Sequence, residues 1–303
     1  MKRGFLDMGR PTCEENMRSD RVYRTQAIIL KRGDFFEADR LLTLYTLERG
    51  KMRAIAKGIR RPTSRKGGHL ELFTHSQLLL ARGRNLDIIT QAQTIEPFLP
   101  LREDLLRTSY ACYVDELLDQ ITEENVPNPR LFYLLRDTLA RLGESRDLAL
   151  TARFYEMRLL GLTGYEPQLF HCVRCRGLFE PQGSFFFSPM EGGALCEACG
   201  PLPARGAQER GAMTLSLAAL KVLRFFQTRE YELCERVHIR PKLHAELERV
   251  MYRYVTFILE RNLKSVGFLN ILRHQGVALT SRSQHRRMDS APRGVPAMAQ
   301  RSG

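Results

Sequence analysis

The chain has 303 residues, 47 Lys and Arg against 34 Asp and Glu, a formal net charge of +13 and 43% hydrophobic residues. That length accommodates two domains with ordinary cores, and no apolar segment approaches the length that spans a bilayer. The positive excess favours a polyanionic partner, nucleic acid first, and no basic amphipathic helix with apolar anchors points to a membrane surface instead.

Residues 1–20 have mixed charge and no periodicity and read as a disordered extension. The stretch Met1-Lys2-Arg3-Gly4-Phe5-Leu6-Asp7 has no apolar run of signal-peptide length, so a cytoplasmic setting is expected. From Val22 the pattern becomes short apolar runs: Tyr23 to Leu30, Arg40 to Leu47, Lys51 to Ile59, Leu70 to Leu80 and Leu86 to Ile95. Arg49-Gly50, Gly67-Gly68 and Gly83-Arg84-Asn85 supply the turns between them. Five strands in so short a stretch predict a small β-barrel over 21–100, for which the oligonucleotide/oligosaccharide-binding (OB) type is the first candidate, other small barrels giving a similar strand count.

After Pro97 and Pro100 the period turns helical. Leu106, Tyr110, Tyr113, Val114, Leu117 and Ile121 share one face, and Leu131, Leu134, Leu135, Thr138 and Leu142 share the next. Leu150, Phe154, Met157 and Leu160 make a third such face. Two further helices are predicted, one capped at Thr214 and running to about Thr228, the other opening at Pro241 and running to about Asn262. The helical domain is set at 101–272, with a basic, disordered tail over 273–303. The fold class is therefore α+β multidomain.

Into the helical run is inserted Cys172-Val-Arg-Cys175, a gap, then Cys196-Glu-Ala-Cys199, a module spanning about 168–203. Two Cys-x-x-Cys pairs at this spacing suit one tetrahedral Zn2+ with no open position for water, a structural site rather than a catalytic one. Two disulfides are the alternative, and they need an oxidising compartment. Gly177 and Gly200 are expected to permit tight turns behind each pair, His171 to stand outside the quartet, and Phe185-Phe186-Phe187 to form a ribbon strand between the pairs. Cys112 reads as core.

Charge is segregated along the chain. Residues 21–100 hold 15 Lys and Arg against 7 Asp and Glu, whereas residues 101–166 hold 8 against 12. The densest basic run, from Lys51 to Lys66, has seven cations and no acid. Strand alternation places Lys51, Arg53 and Lys57 on one face with Ile55, while Met52, Ala54 and Ala56 face inward. With Arg60, Arg61, Arg65 and Lys66 in the following loop, this is a candidate phosphate track. Lys31 and Arg32 at the end of the first strand, and Arg82 and Arg84 in the last hairpin, extend it. Phe35 and Phe36, in the first hairpin loop, are candidates for base stacking. No phosphate-binding glycine loop, nucleophile elbow or zinc-deaminase pattern occurs in the sequence, so an enzyme is not expected.

The segments Gln26-Ala-Ile-Ile-Leu30 with Glu37-Ala-Asp-Arg40, Lys57-Gly-Ile-Arg60 and Tyr113-Val-Asp-Glu-Leu-Leu-Asp119 occur in that order. They are followed by Met157-Arg-Leu-Leu160, Gly164-Tyr-Glu-Pro167 running into Cys172, and Leu263-Lys-Ser-Val-Gly-Phe-Leu269. Over roughly 21–272 the chain thus resembles the bacterial recombination mediator RecO family, in its zinc-containing form. The resemblance implies a non-enzymatic, nucleoid-associated DNA-repair protein of the RecF pathway that binds single- and double-stranded DNA and anneals complementary strands. It implies RecR and the acidic C-terminal tail of single-stranded DNA-binding protein as partners, RecA as an indirect one, and the four cysteines as zinc ligands. Charge and spacing alone leave two alternatives: an RNA-binding factor of translation or transcription with a barrel and zinc ribbon, and a zinc-dependent nucleic-acid hydrolase, which requires an open metal position.

Overall fold

The computed structural model describes residues 21–180, 182–200, 211–267, 269 and 271. The readings made for residues 1–20 and for the tail from 273 lie outside them. Five strands come first: β1 (Val22–Phe35), β2 (Asp39–Thr46), β3 (Gly50–Ala56), β4 (His75–Ala81) and β5 (Asp87–Glu96). They close into a barrel in the order β1-β2-β3-β5-β4. Neighbours are antiparallel except β3 and β5, which run parallel at Ala54–Asp87 and Ile55–Ile88.

Alternation fills this barrel as the sequence predicts. Ala27, Ile29, Leu42, Leu44, Met52 and Ala54 point into one interior cluster, while Arg53 and Lys57 stay exposed. β1 departs from the pattern, because Ile28, Ile29 and Leu30 are all buried. Its outer face is covered as well: Ile28 and Leu30 join Tyr45 and Phe73 in a second core shared with the helices. A register shift between Ile29 and Lys31 accommodates the change.

The helical body begins with α1 (Pro100–Glu103), α2 (Leu105–Ile121), α3 (Pro129–Glu144) and α4 (Leu148–Leu162). Asp104, Asn128 and Asp147 cap the three longer helices, each accepting an amide hydrogen three residues on. A ribbon follows, of β6 (Phe185–Ser188), β7 (Gly193–Leu195) and β8 (Met213–Leu215) in the order β7-β6-β8. Then come α5 (Leu217–Thr228), α6 (Tyr231–Cys234) and α7 (Pro241–Leu259). Phe187 of β6 packs edge-on to Tyr254 of α7, with ring centroids 5.2 Å apart, which ties the ribbon to the body.

Several sequence readings are corrected. Thr214 lies in β8, and Ser216 caps α5, its hydroxyl accepting from the Ala219 amide. The helix opened by Pro241 ends at Leu259, where Glu260 turns left-handed at φ 51°. The Leu70–Leu80 segment is strand only from His75, since 67–70 forms a 3-10 turn. Leu106 is exposed, and so is Cys112, because the buried stripe of α2 runs through Tyr110, Tyr113, Val114 and Leu117 on the far side. Lys31 and Arg32 sit within β1 rather than at its end, and only Phe36 is in the turn.

The barrel meets the body closely where β3 starts. Gly50 adopts φ +68°, and a Cβ there would stand 2.0 Å from the Val126 carbonyl oxygen, so glycine is required on both counts. Beside this seam Asp115 of α2 is 2% exposed, and neither of its carboxyl oxygens has a hydrogen-bond partner among the described residues. Burial raises its pKa well above the usual carboxylate value, Asp119 adds to the rise, and Lys31 opposes it. The folded state therefore binds a proton that the unfolded chain releases above a pKa of about 3.9, and stability falls as pH rises through that window. Asp115→Asn is expected to raise the thermal midpoint by about 2 °C or more at pH 8 and by little at pH 4; equal shifts at both values would contradict a buried protonated acid.

Candidate nucleic-acid interface and metal centre

The outer row of β3 runs from Lys51 through Arg53 and Ile55 to Lys57, and the structure divides it. Lys51 is tied to the body: its Nζ donates to the Asp119 carbonyl oxygen at 2.5 Å and lies 3.3 Å from the Asp119 carboxylate. Lys31 pairs with the same carboxylate at 2.5 Å. Arg53 meets Glu124 at 2.9 Å, both groups being about half exposed, and Arg32 pairs with Glu71. Lys66 reaches across the barrel mouth, donating to the carbonyls of Lys57 at 3.1 Å and Ile89 at 3.0 Å. Its burial lowers its pKa. These five are engaged within the chain.

Four more cations follow the strand, of which Arg60 is itself paired with Asp34. Lys57, Arg60, Arg61 and Arg65 are exposed along the segment after β3, and the β1–β2 hairpin is fastened to that segment. The Gly58 amide donates to Asp39 Oδ1 at 2.7 Å, the Arg60 amide donates to the Ala38 carbonyl at 3.1 Å, and Asp34 sits 3.5 Å from Arg60 and 3.7 Å from Arg40. Phe36 tops this hairpin, 78% exposed. Arg82 and Arg84 are exposed in the β4–β5 loop, next to the start of the parallel β3–β5 pairing and hence near Arg53. The hairpin and the β4–β5 loop are the loops through which OB barrels engage oligonucleotides, with the β2–β3 face between them. Sequence reasoning missed Asp119 and Glu124, the carboxylates that occupy part of the row; the acidic excess over 101–166 was the signal for them.

Between α4 and β8 the four cysteine sulfurs converge, all within 4.8 Å of one another, with Cys175 and Cys196 Sγ 3.7 Å apart. Four thiolates at about 2.3 Å from one ion stand roughly 3.8 Å apart, whereas a disulfide needs about 2.05 Å. All four thiols are free, so the donor set fits a single thiophilic ion. Burial pushes the Cys172 thiol up, but backbone amides of Cys175, Cys196 and Arg174 bring it down to about 6. Burial and the neighbouring sulfurs push Cys199 up to about 12.

The turns differ from expectation. In the first knuckle Arg176, not Gly177, takes the left-handed conformation, at φ 60°. Gly200 is needed for close approach, because a Cβ there would meet the Phe186 ring at 2.3 Å. Arg174 braces the site, donating to the Cys199 carbonyl at 2.8 Å and to both carboxylate oxygens of Glu191 at 2.9 Å. His171 is exposed and stands outside the cluster.

A closed OB-type barrel seated on a helical body, with a four-cysteine ribbon inserted in that body, defines the class. The chain matches the family models described as Recombination protein O N terminal, over residues 17–98, and Recombination protein O C terminal, over residues 102–266. It is 44% identical over 254 residues to the DNA repair protein RecO of Roseiflexus sp. (strain RS-1), covering 84% of this chain and 87% of that one. It is 37% identical over 250 residues to that of Pelotomaculum thermopropionicum, covering 82% and 94%, and 35% identical over 254 residues to that of Symbiobacterium thermophilum, covering 83% and 98%. The chain belongs to the RecO family of DNA repair proteins. The names of these relatives carry no enzymatic activity. Among the described residues no helix is long and apolar enough to cross a membrane.

Proposed function

We propose that this protein is a non-enzymatic recombination mediator that binds single- and double-stranded DNA on its barrel and anneals complementary strands, working with RecR to load RecA on DNA coated by single-stranded DNA-binding protein. The observation that carries the DNA reading is the cluster of Lys57, Arg60, Arg61 and Arg65 beside Phe36, at the hairpin end of the β2–β3 face. Two single strands repel each other, and a basic surface neutralises that repulsion while leaving base edges free to pair. The chemistry makes and breaks no covalent bond.

Zn2+ is the ion proposed for the four thiolates, in a structural role. Cys172, Cys175, Cys196 and Cys199 would hold it, and Arg174 would fix the two knuckles around it. The acidic tail of single-stranded DNA-binding protein is proposed to dock on the helical body. A cavity of about 530 Å³ there is the candidate seat, in which Arg130, Arg141 and Arg158 alternate with Asp137, Glu166 and Glu230 beside Phe154, Met157 and Leu162, so its wall carries no net positive charge. Arg141 and Arg158 lie over the Phe154 ring and pair with Glu232 and Glu230, so a carboxylate-rich peptide would take those arginines by displacing the two glutamates.

The test is a salt titration with an unstructured single strand. Contact with about five phosphates gives a log–log slope near −3.5, which is roughly a hundredfold loss of affinity for a fourfold rise in salt. Lys57→Ala with Arg61→Ala removes two of those contacts, and the slope is expected to fall to about −2.1. Absence of binding in dilute buffer, or an unchanged slope in the double variant, would remove the barrel from the proposal.

A further inference from the structure

The four sulfurs of the metal centre are unequally covered. Cys172 is 1% exposed, and its backbone is stitched into the first knuckle, the amide donating to the Gly177 carbonyl at 3.0 Å and the carbonyl accepting the Arg176 amide at 2.8 Å. The second knuckle is roofed by the Phe186 ring, which leaves no room for a side chain at Gly200. Cys175 is the exposed member of the four, Cys196 and Cys199 being partly covered. Gly177 makes the opening: a Cβ there would stand 3.4 Å from Cys175 Sγ, so the missing side chain leaves one flank of that sulfur bare.

Exposure matters because these sulfurs differ chemically from the other described cysteines. Ligands of a metal ion are thiolates at neutral pH, and the thiolate is the form that oxidants attack. Burial pushes the Cys234 thiol up to about 11. Desolvation of its sulfur, with the Asp115 and Glu116 carboxylates nearby, pushes Cys112 up to about 11 as well. Both stay protonated in neutral solution and react slowly. Among the described cysteines, an oxidant arriving from solvent therefore meets Cys175 first.

We propose that the centre is a peroxide-sensitive switch, in which oxidation joins Cys175 to Cys196, expels the metal and loosens the ribbon from α5 and α7 while the barrel stays folded. The proposal rests on the reading of the cluster as a Zn2+ site. Cys175 Sγ attacks one oxygen of hydrogen peroxide, the O–O bond breaks, and the departing hydroxide takes up a proton to become water, leaving a sulfenic acid. Cys196 Sγ, 3.7 Å away, then attacks that sulfur. An S–S bond forms, and the hydroxyl leaves with a second proton as water, so the sulfur pair gives two electrons to one peroxide. Cys196 is the resolving thiolate because it directly follows β7 and is partly exposed, whereas Cys172 is buried and held by its backbone on both sides. Cys172 and Cys199 are left as two ligands, too few to close a structural site. Phe185, Phe187 and Ala194 then lose the tie that keeps them in one cluster with α5 and α7. The barrel interior is a separate cluster.

The experiment treats the full-length, Zn2+-loaded protein with hydrogen peroxide at neutral pH. It follows metal release with a chromogenic chelator, the position of the disulfide by mass spectrometry of proteolytic peptides, the thermal midpoint, and affinity for a DNA single strand. One Zn2+ released for each Cys175–Cys196 disulfide, a lowered midpoint and unchanged DNA affinity are expected. A thiol reductant with added Zn2+ is expected to restore the metal content and the midpoint. Gly177→Ala sets a methyl group against Cys175 Sγ and is expected to slow release from the metal-loaded protein about threefold, whereas Cys112→Ser is expected to release at the wild-type rate. Several results overturn the switch while leaving the Zn2+ site in place: metal retained after Cys112 has been oxidised, a first disulfide that joins Cys172 to Cys175 or Cys196 to Cys199, release as fast in Gly177→Ala as in the wild type, release that reductant and Zn2+ do not reverse, or DNA affinity lost with the metal. A purified chain that binds no Zn2+ overturns the site together with the switch.

Discussion

Serine at Cys196, or removal of the metal by a strong chelator, is expected to unfold the ribbon between 168 and 200 and lower the thermal midpoint of the whole helical body. Binding of a structural ion to such a thiolate set is worth on the order of 10 kcal/mol of local folding, more than the segment's own sheet can supply. Its sheet has strands of three or four residues, too short for independent stability. The loss would not stop at the ribbon. Phe185, Phe187 and Ala194 belong to the same core cluster as Leu220, Leu247 and Met251 of α5 and α7, so unfolding it uncovers the flank of both helices. The barrel interior is a separate cluster, and salt-dependent DNA binding is expected to survive. Limited proteolysis, thermal melting and metal analysis check this: one Zn2+ per chain, new cleavage within 168–200 after chelation, and a lowered midpoint. A chelated protein with unchanged midpoint and protease pattern would mean that the thiolates do not staple the fold.

How far the sequence could be read depended on whether a feature was local. The outward and inward faces of β3 follow from alternation alone, and Met52 and Ala54 are inside as that period requires. The thiolate cluster follows from spacing, because a Cys-x-x-Cys pair can close on one ion without help from distant residues. What could not be read was what lies against a face. Lys51 and Asp119 are 68 residues apart in sequence and Lys31 and Asp119 are 88, and no periodicity reports that α2 ends over β3. Short elements were similarly opaque. Thr214 and Ser216 are equally good caps by residue type, and the choice between them is made by β8 pairing with β6, which occupies Thr214. In the first knuckle, glycine's tolerance suggested a tight turn at Gly177, whereas the left-handed conformation falls on Arg176, one residue beyond Cys175.

The seam between barrel and body also explains where the helical core can least tolerate change. α2 presents Asp119 to Lys31 and Lys51 on one side and Tyr113 to α4 on the other. There the Tyr113 hydroxyl donates to Glu156 Oε1 at 2.5 Å, and Arg153 Nη2 lies 2.6 Å from the same oxygen. Arg153 and Glu156 are 6% and 0% exposed in their side chains. Burial alone would lower the arginine's pKa, and Glu156 together with Tyr113, Glu248 and Tyr110 more than reverses that, so the arginine's charge is stabilised by this buried cluster rather than by solvent. Arg153→Met leaves the Glu156 carboxylate buried without its cation and is expected to cost about 3–5 kcal/mol of stability. The deficit should be smaller at acid pH, where Glu156 can take up a proton, because a carboxyl whose folded pKa is raised loses stability as pH increases. Adding Glu156→Gln removes the uncompensated charge and keeps an acceptor for Tyr113, so the double variant is expected to recover most of the loss. Denaturant unfolding of the two single variants and the double variant at pH 5 and pH 8 measures the coupling directly. If the single and double variants were equally destabilised, and neither changed with pH, the ion pair within α4 on which Tyr113 of α2 rests would contribute nothing to the contact between the two helices, and the platform on which the barrel sits would owe its rigidity to apolar packing alone.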